Sequence, residues 1–333
     1  MRYKAMKVVR NTNTRLLLLT TVFTLLLKAF PAMSQPTSND FSERLDRLWE
    51  FSKPAESEQR FRTELAQHPT DSREALETLT QIARTQGLRR MFAEADATLD
   101  TVAPKLNQTP VRVRIRYLLE RGRTRNSSGD KSAAIPLFNE AAALWERDTL
   151  PGADYYRIDA LHMLGIATKP SEQLAWNRKA LAAAEASSDP RARGWAASLT
   201  HNIGWSYFDA GDPVTALVYW KQALPLREAA GNPEPIRVAK WTIARGYRAT
   251  GNLDDAEKIQ RTLLLETEQA GEPDGYVYEE LAEIAMARGD KAAAAPWATK
   301  AYALLKDDGY LKASEAARLQ RLADISTSAG KAP

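Results

Sequence analysis

The chain has 333 residues, 44% of them hydrophobic and 26% charged, a balance that is typical of folded proteins and excludes an intrinsically disordered chain. It contains no cysteine, which excludes thiolate catalysis, cysteine-ligated zinc, disulfide bonds and a lipid-modified N-terminal cysteine. The formal net charge is +4, but residues 1–34 hold six Lys and Arg and no Asp or Glu, so the remainder carries −2 and has no basic footprint for a nucleic acid.

The N-terminus has the layout of a secretory signal peptide. Residues 1–15 are cationic, residues 16–27 form an apolar run without charge, and residues 32–34 are a small-x-small triplet of the kind that precedes cleavage. An uncleaved membrane anchor is the alternative, but a bilayer core needs about 20 apolar residues, and this run ends at Lys28 after 12. We therefore predict cleavage after Ser34 and a periplasmic or secreted mature chain.

A period of about 40 residues runs through the rest of the sequence. Six prolines recur at intervals of 39 to 43 residues: Pro69, Pro110, Pro151, Pro190, Pro233 and Pro273. A series of glycines falls between them: Gly87, Gly129, Gly211, Gly251 and Gly289. Pro170 stands where the glycine series has a gap. Two breakers in each period predict two helices in each repeat.

The same breakers predict where helices end and begin. A helix commonly closes at a residue with positive φ, where glycine has no Cβ penalty. The polar residues that directly follow these glycines are predicted N-caps: Asp130, Asp212, Asn252 and Asp290. Asn252 with Asp255 resembles a capping box, and Pro213 is predicted at a first helical position. The prolines close the other connection of each repeat.

Small residues recur at fixed places in both helices of each unit. The clearest copy combines Gly204 and Tyr207 in the first helix with Ala216, Trp220 and Ala223 in the second, and similar copies begin near residues 122, 244 and 281. These residues resemble the tetratricopeptide repeat family, in units longer than its 34-residue standard, over roughly residues 70–306. The resemblance implies an all-α fold, a right-handed α-solenoid of stacked antiparallel helix pairs.

Some segments depart from the regular pattern. Residues 161–165 match residues 200–204, 39 positions later, but the turn at Pro170 arrives one helical turn early. Residues 41–51 and 56–66 predict a degenerate helical pair, and residues 310–329 predict a helix that covers the last apolar face. We therefore divide the chain into four parts: a signal peptide (1–34), an N-terminal helical pair (35–69), an array of about six repeats (70–309), and a C-terminal capping helix and tail (310–333).

Few residues could form a catalytic centre, and we predict neither an enzyme nor a cofactor. The sequence has no H-E-x-x-H pair, no G-x-S-x-G elbow and no glycine-rich phosphate loop. His162 and His201 hold equivalent positions in adjacent repeats, so the two imidazoles could bind a metal. We interpret both instead as polar residues that line a groove, and His68 as a favourable group at a helix end.

The resemblance implies a partner-binding groove, because in this family the first helices of successive repeats line the concave side. Some members hold a peptide's terminal carboxylate in a polar clamp, of which Asn202 and Arg245 occupy two of the five places, while His162, Ile166 and Trp241 replace the others. The residues carried over as candidate partner contacts are Arg116, Arg123, Asn126, His162, Ser198, His201, Asn202, Trp205, Phe208, Trp241, Arg245, Arg248, Tyr276 and Glu279.

Aromatic and arginine side chains dominate this set, and such residues most often anchor partners. Trp205 and Trp241 either face the groove or pack between repeats, and the sequence leaves both options open. Stacking on these aromatic residues together with Arg245 and Arg248 would suit an extended or helical peptide segment. We therefore predict a non-enzymatic, protein-binding scaffold without metal or nucleic acid. The alternative is a receptor for a small ligand or glycan, or an enzyme, that uses the aromatic groove or the His162 and His201 pair.

Overall fold

The computed structural model describes residues 40–327, in which every regular element is a helix. The predicted leader (1–34) and the end of the predicted tail (328–333) lie outside the described residues. Two short 3-10 turns, Ala103–Gln108 and Trp145–Arg147, follow α4 and α6. The α-helices are α1 (Phe41–Asp46), α2 (Pro54–Leu65), α3 (Arg73–Leu88), α4 (Phe92–Val102), α5 (Val111–Ser128), α6 (Lys131–Leu144), α7 (Ala153–Ala167), α8 (Pro170–Ala186), α9 (Pro190–Arg193), α10 (Ala196–Asp209), α11 (Pro213–Ala230), α12 (Pro233–Ala249), α13 (Leu253–Gln269), α14 (Gly275–Ala287), α15 (Lys291–Leu305), α16 (Gly309–Ser314) and α17 (Ala316–Thr327).

The helices pack as consecutive pairs. In each pair the two helices contact each other along their lengths: α3 with α4, α5 with α6, α7 with α8, α10 with α11, α12 with α13, and α14 with α15. Each second helix then packs against the first helix of the next pair, as α6 does on α7 and α11 on α12. This arrangement is an α-solenoid of stacked helix pairs, as the sequence predicts.

Within a pair, a glycine of the first helix lies under a large side chain of the second. A Cβ added at Gly204 would lie 2.4 Å from the Trp220 ring, and one added at Gly122 would lie 2.5 Å from the Phe138 ring. Trp220 and Phe138 have no exposed surface. The missing Cβ therefore makes room for the ring and lets the two helices approach closely.

The pair α7 and α8 follows the same rule with a shorter turn. Gly165 contacts Asn177, 12 residues later, whereas Gly204 contacts Trp220, 16 residues later. The difference of four residues is one helical turn, and α8 begins directly at Pro170. The predicted early turn of this unit is therefore confirmed.

Most predicted helix ends are confirmed. The glycines at positions 129, 211, 251 and 289 have φ between +80° and +103°. The Asp130, Asp212 and Asp290 carboxylates accept the backbone N–H three residues later, as N-caps do. Pro213 is the first residue of α11.

Two predictions about helix ends are wrong. Gly87 lies inside α3, and Arg90 takes the positive φ of +64° instead. The N–H of the following Met91 then bonds to the Gln86 carbonyl at 3.0 Å, which completes the usual closing motif around an arginine. Asn252 precedes α13, but its side chain caps no backbone N–H; its Nδ2 donates to Asp255 Oδ2 at 2.8 Å.

The two ends of the solenoid differ from the expected helices. The helix expected over residues 41–51 stops at Asp46, and the one expected over residues 310–329 is divided into α16 and α17. Helix α17 packs on α15, so it covers the end of the last full pair. Among residues 40–327, no helix is both long and apolar enough to cross a bilayer.

Candidate partner-binding face

The first helices of the pairs share one face, which we call the first-helix face. Ion pairs join neighbouring first helices along it. Arg84 of α3 lies 3.6 Å from Glu120 of α5, and Arg245 of α12 lies 2.9 Å from Glu280 of α14. The predicted partner contacts all belong to first helices of the pairs, namely α5, α7, α10, α12 and α14.

Residues 40–51, which we call the strap, cover the N-terminal half of this face. One side of α1 is apolar and buries Phe41 and Leu45 with Phe61 of α2 and Ile82 of α3. Beyond α1, Trp49 Nε1 donates to Gln81 Oε1 of α3 at 3.0 Å. The other side of α1 is polar and reaches across to α5, α7 and α9.

Asp46 is the centre of these polar contacts. Its Oδ1 accepts from Arg116 Nη2 at 2.8 Å, and its Oδ2 accepts from Arg191 Nη2 at 2.5 Å and from the Tyr156 hydroxyl at 3.3 Å. Burial favours the neutral acid, but the charges of Arg116 and Arg191 outweigh it and hold the pKa of Asp46 below its ordinary value. Arg116, a predicted partner contact, is only 2% exposed and is used inside the chain.

Arg123 and Asn126 are also engaged internally. Arg123 donates to Glu120 Oε1 at 2.6 Å and to both carboxylate oxygens of Asp159. Asn126 is 4% exposed. Burial opposes ionisation of Asp159, but the charges of Arg123 and Arg84 outweigh it and lower the pKa of that carboxyl.

A cavity separates part of the strap from the first-helix face. It has a volume of about 50 Å³. The aromatic rings of Trp49 and Tyr155 line it together with Arg116, Glu120 and Asp159. The charged groups among them already pair within the chain, so the cavity wall is close to electrically neutral.

The two histidines lie against different aromatic rings. The His162 ring centre lies 4.9 Å from that of Trp195, and burial lowers the pKa of His162 to about 4. His201 Nε2 accepts from Trp205 Nε1 at 3.1 Å, and burial lowers the pKa of His201 to about 3. Both imidazoles are therefore neutral at pH 7. Asp159, one turn before His162, is engaged by Arg123, and residues 40–327 contain no group of three His, Asp or Glu that could hold a metal.

Trp205 and Phe208 form an aromatic cluster with Trp220 in the C-terminal half. The Trp205 ring lies edge-on to Trp220 at 5.0 Å and to Phe208 at 5.6 Å. Trp220 is fully buried, whereas Trp205 and Phe208 are partly exposed. Both residues therefore keep some surface exposed.

Trp241 packs between repeats and is 9% exposed. Its Nε1 donates to the Tyr276 carbonyl at 3.0 Å, and its ring meets the Tyr276 ring edge-on at 6.2 Å. Tyr276 itself is partly exposed. The sequence left open whether each tryptophan faces the groove or packs between repeats. Trp241 packs between repeats, while Trp205 packs against other rings and stays partly exposed.

Arg245 and Arg248 both bind Glu280, which has no exposed surface. Arg245 Nη1 donates to Glu280 Oε1 at 2.9 Å, and Arg248 donates to both oxygens at 2.7 and 3.0 Å. Burial favours the protonated acid, but hydrogen bonds from Arg248 and the charge of Arg245 keep the pKa of Glu280 below its ordinary value. The Arg245 guanidinium also lies 5.6 Å from the Phe208 ring centre and 5.5 Å from that of Trp241.

Glu279 ends this row of contacts. It is 4% exposed and accepts two hydrogen bonds from Arg318 of α17. Burial outweighs the favourable charge of Arg318 and raises the pKa of Glu279. The Arg318 guanidinium also lies 5.3 Å from the Tyr276 ring centre, so α17 continues the row of first helices.

The predicted contacts thus fall into two groups. Those in the N-terminal half lie under or beside the strap, and those of the last repeats are largely paired within the chain. Of the predicted contacts in the C-terminal half, the following are partly exposed: Ser198, Asn202, Trp205, Phe208, Arg245, Arg248 and Tyr276. Binding of a partner by any of the candidate residues stays a prediction.

The sequence interpretation missed Arg112, Arg191 and Asp46. Arg112 has no exposed surface and donates to Asp148 of the following loop and to Ser42 Oγ of the strap at 3.1 Å. Its spacing of four residues from Arg116, which puts both on one side of α5, was the available signal. Asp46 gave no such signal, because its partners lie 70 and 145 residues away.

Comparisons with known proteins establish the fold. No protein-family model matches the chain, and no curated protein matches it in sequence. Among solved structures, Cut9 in the APC/C hetero-tetramer Cut9–Hcn1 aligns with a TM-score of 0.60 and 14% identity over 89% of this chain and 50% of the matched one. The apo form of the quorum sensor NprR from B. thuringiensis aligns with a TM-score of 0.59 and 15% identity over 86% of this chain and 80% of that one.

A third match is the Rap protein complexed with Competence and Sporulation Factor, with a TM-score of 0.56 and 14% identity over 86% of this chain and 85% of that chain. Such low identities carry no information about activity or partners. The matched structures do agree with this chain in architecture. They are helical solenoids of the tetratricopeptide type, and this chain has the same fold.

Proposed function

We propose that the chain is a non-enzymatic scaffold that holds a protein or peptide segment on the C-terminal half of its first-helix face. The observation that carries the proposal is the partly exposed surface of Asn202, Trp205, Phe208 and Tyr276, three of which are aromatic. This surface lies beyond the repeats that the strap contacts.

The chemistry of this surface suits a peptide in an extended or helical conformation. Trp205 and Phe208 offer apolar area at a small cost in side-chain entropy, and the Asn202 amide can both donate to and accept from a peptide backbone. Arg245, which is bound to Glu280, also lies 5.6 Å from the Phe208 ring centre and helps to hold that ring in place. Binding by these rings and amide would favour apolar side chains flanked by free backbone groups.

Two of the matched structures support a binding role. The Rap protein is complexed with Competence and Sporulation Factor, and Cut9 is in a hetero-tetramer with Hcn1. A scaffold of this architecture therefore holds a second molecule in both cases, and we extend that role to this chain. We further propose that the chain works in the periplasm or outside the cell, from the leader-like residues 1–34.

Site-specific photo-crosslinking tests the proposed surface. A benzoylphenylalanine at position 202 is expected to capture a partner in the native cell envelope. The matched control carries the same group at Val218, which is 51% exposed on α11, outside the first helices. Adding Trp205→Ala and Phe208→Ala should abolish the adduct at position 202. Equal adducts at both positions, or none at position 202, would contradict the proposal.

A further inference from the structure

The surface beneath the strap carries more positive than negative charge. Four arginines face the strap here: Arg73, Arg112, Arg116 and Arg191. On the face itself they pair with two carboxylates, since Glu77 lies 2.7 Å from Arg73 and 3.8 Å from Arg116, and Asp148 bonds to Arg112. Two positive charges are left for an occupant to neutralise.

The strap supplies the two missing carboxylates. Asp40 lies 3.2 Å from Arg73 and 3.7 Å from Arg112, and Asp46 binds Arg116 and Arg191. Six residues of helix separate the two acids by about 9 Å along the axis. Phe41 and Leu45, each adjacent to one of the acids, fill the apolar side of the same site. The strap is thus a short helix with an acid at each end and an apolar side chain next to each acid.

The strap has the structural features of a segment that can leave its site. Its only helix is six residues long, and it joins α2 through residues 47–53, where Phe51 is 59% exposed. Its polar contacts are to side chains of α2, α3, α5, α7 and α9, and no backbone-to-backbone hydrogen bond joins it to these helices. Short segments held mainly by side chains open more readily than the helices beneath them.

We propose that the arginine-lined face of the first three repeats is a second binding surface, for a partner helix with the pattern acid–apolar–x–x–x–apolar–acid, and that the strap is the chain's own occupant of it. A partner with this pattern restores both the charge balance and the apolar contacts when it replaces the strap. This surface is separate from the one proposed above, so the tests of the two do not depend on each other.

A peptide of residues 40–53 is the probe, because it contains the pattern itself. In the full chain, the tethered strap competes at an effective concentration on the order of millimolar. Asp46→Arg in the chain should release the strap by repulsion from Arg116 and Arg191. We expect the fluorescent peptide to bind this variant at least about tenfold more tightly than wild type in an anisotropy titration.

Matched controls use the same helix. Arg47 is half-exposed and forms an ion pair with Glu43 of the strap itself, so the chain variant Arg47→Ala should bind the peptide no better than wild type. A peptide that itself carries Asp46→Arg should not bind the released chain. Equal binding of the native peptide to wild type and to a folded Asp46→Arg chain would overturn the proposal.

Hydrogen exchange on the wild-type chain provides a test that needs no variant. An isotopically heavy peptide of residues 40–53, at millimolar concentration, should speed exchange of the α1 amides severalfold by displacing the strap. The amides of α2 and α3 should keep their rates. If the α1 amides exchange no faster with the peptide than without it, the strap is a fixed part of the fold and the proposal fails.

Discussion

Trp220 sets the distance between helices through contacts with two glycines. Its ring fills the space that a Cβ of Gly204 would occupy, and on the other side it lies 3.2 Å from the Cβ position of Gly246 in the next repeat. Its Nε1 also donates to the His201 carbonyl at 3.1 Å. A single buried side chain therefore fixes both the packing within one pair and the stacking of the next pair on it.

Replacing Gly204 should disturb this packing. The Cβ of Gly204→Ala would meet the rigid Trp220 ring at 2.4 Å, so the ring or the helix has to move. We expect the free energy of unfolding to fall by about 1–3 kcal/mol, as for other overpacked cores. Urea unfolding followed by circular dichroism measures the change.

Gly87→Ala is the matched control, since Gly87 also lies inside a helix. The nearest atom to its added Cβ is Thr124 Oγ1 at 3.8 Å, an ordinary contact. Without a clash, alanine should stabilise the helix by about 0.4–1 kcal/mol. If Gly204→Ala proves as stable as Gly87→Ala, close packing on Trp220 does not limit this position.

The buried histidines should make the stability depend on pH. Burial lowers the pKa of His162 to about 4 and that of His201 to about 3, whereas an unfolded histidine titrates near 6.5. Between these values the unfolded chain binds more protons than the folded one, so the free energy of unfolding falls as the pH drops below about 6.5. The expected loss is on the order of 1 kcal/mol per pH unit for each histidine.

Urea unfolding at several pH values between 7 and 5 measures this loss. The double variant His162→Gln and His201→Gln should lose less stability than wild type over the same range, because glutamine does not titrate. Carboxyl groups contribute equally to both proteins and cancel in the comparison. Parallel pH profiles for the two proteins would mean that the histidines are not held neutral by burial.

At the scale of the helices, the sequence predicts the helix ends that depend on a residue's own backbone or on its near neighbours in the chain. Gly129 followed by Asp130 specifies both a helix end and the next helix start, because each acts through its own backbone or the N–H three residues away. Gly87 misled the prediction because glycine permits a positive φ but does not require one, and α3 continues through it. The closing motif moved three residues along to Arg90, and no local property of arginine favours a positive φ. The helix α1 was overestimated because its apolar residues fit a longer helix, while the contacts of the strap decide where it stops.

At the scale of the whole chain, the candidate site is only partly predictable. The repeat period places His201, Trp205 and Arg245 on the first-helix face, because equivalent positions repeat with the helices. The period also indicates one ion pair, because Arg245 and Glu280 are 35 residues apart, close to the length of one repeat. The contacts that the strap makes do not follow the repeat period, because Asp46 binds residues of three different repeats. Exposure of the N-terminal half therefore could not follow from the sequence.

Export is the last property of the whole chain to test. Residues 1–34 carry six positive charges and the remainder carries −2, so the charge asymmetry favours translocation of everything after the apolar run. Cleavage after Ser34 would leave Gln35 five residues before Asp40, which keeps the complete strap in the mature protein.

We expect intact-mass analysis of the chain recovered from the envelope to give an N-terminus at Gln35. Ser34→Arg should block cleavage, because this position requires a small residue, and should leave the chain in the membrane fraction. A full-length chain in the cytosol of wild-type cells would refute export, and a full-length chain in the membrane would favour the anchor.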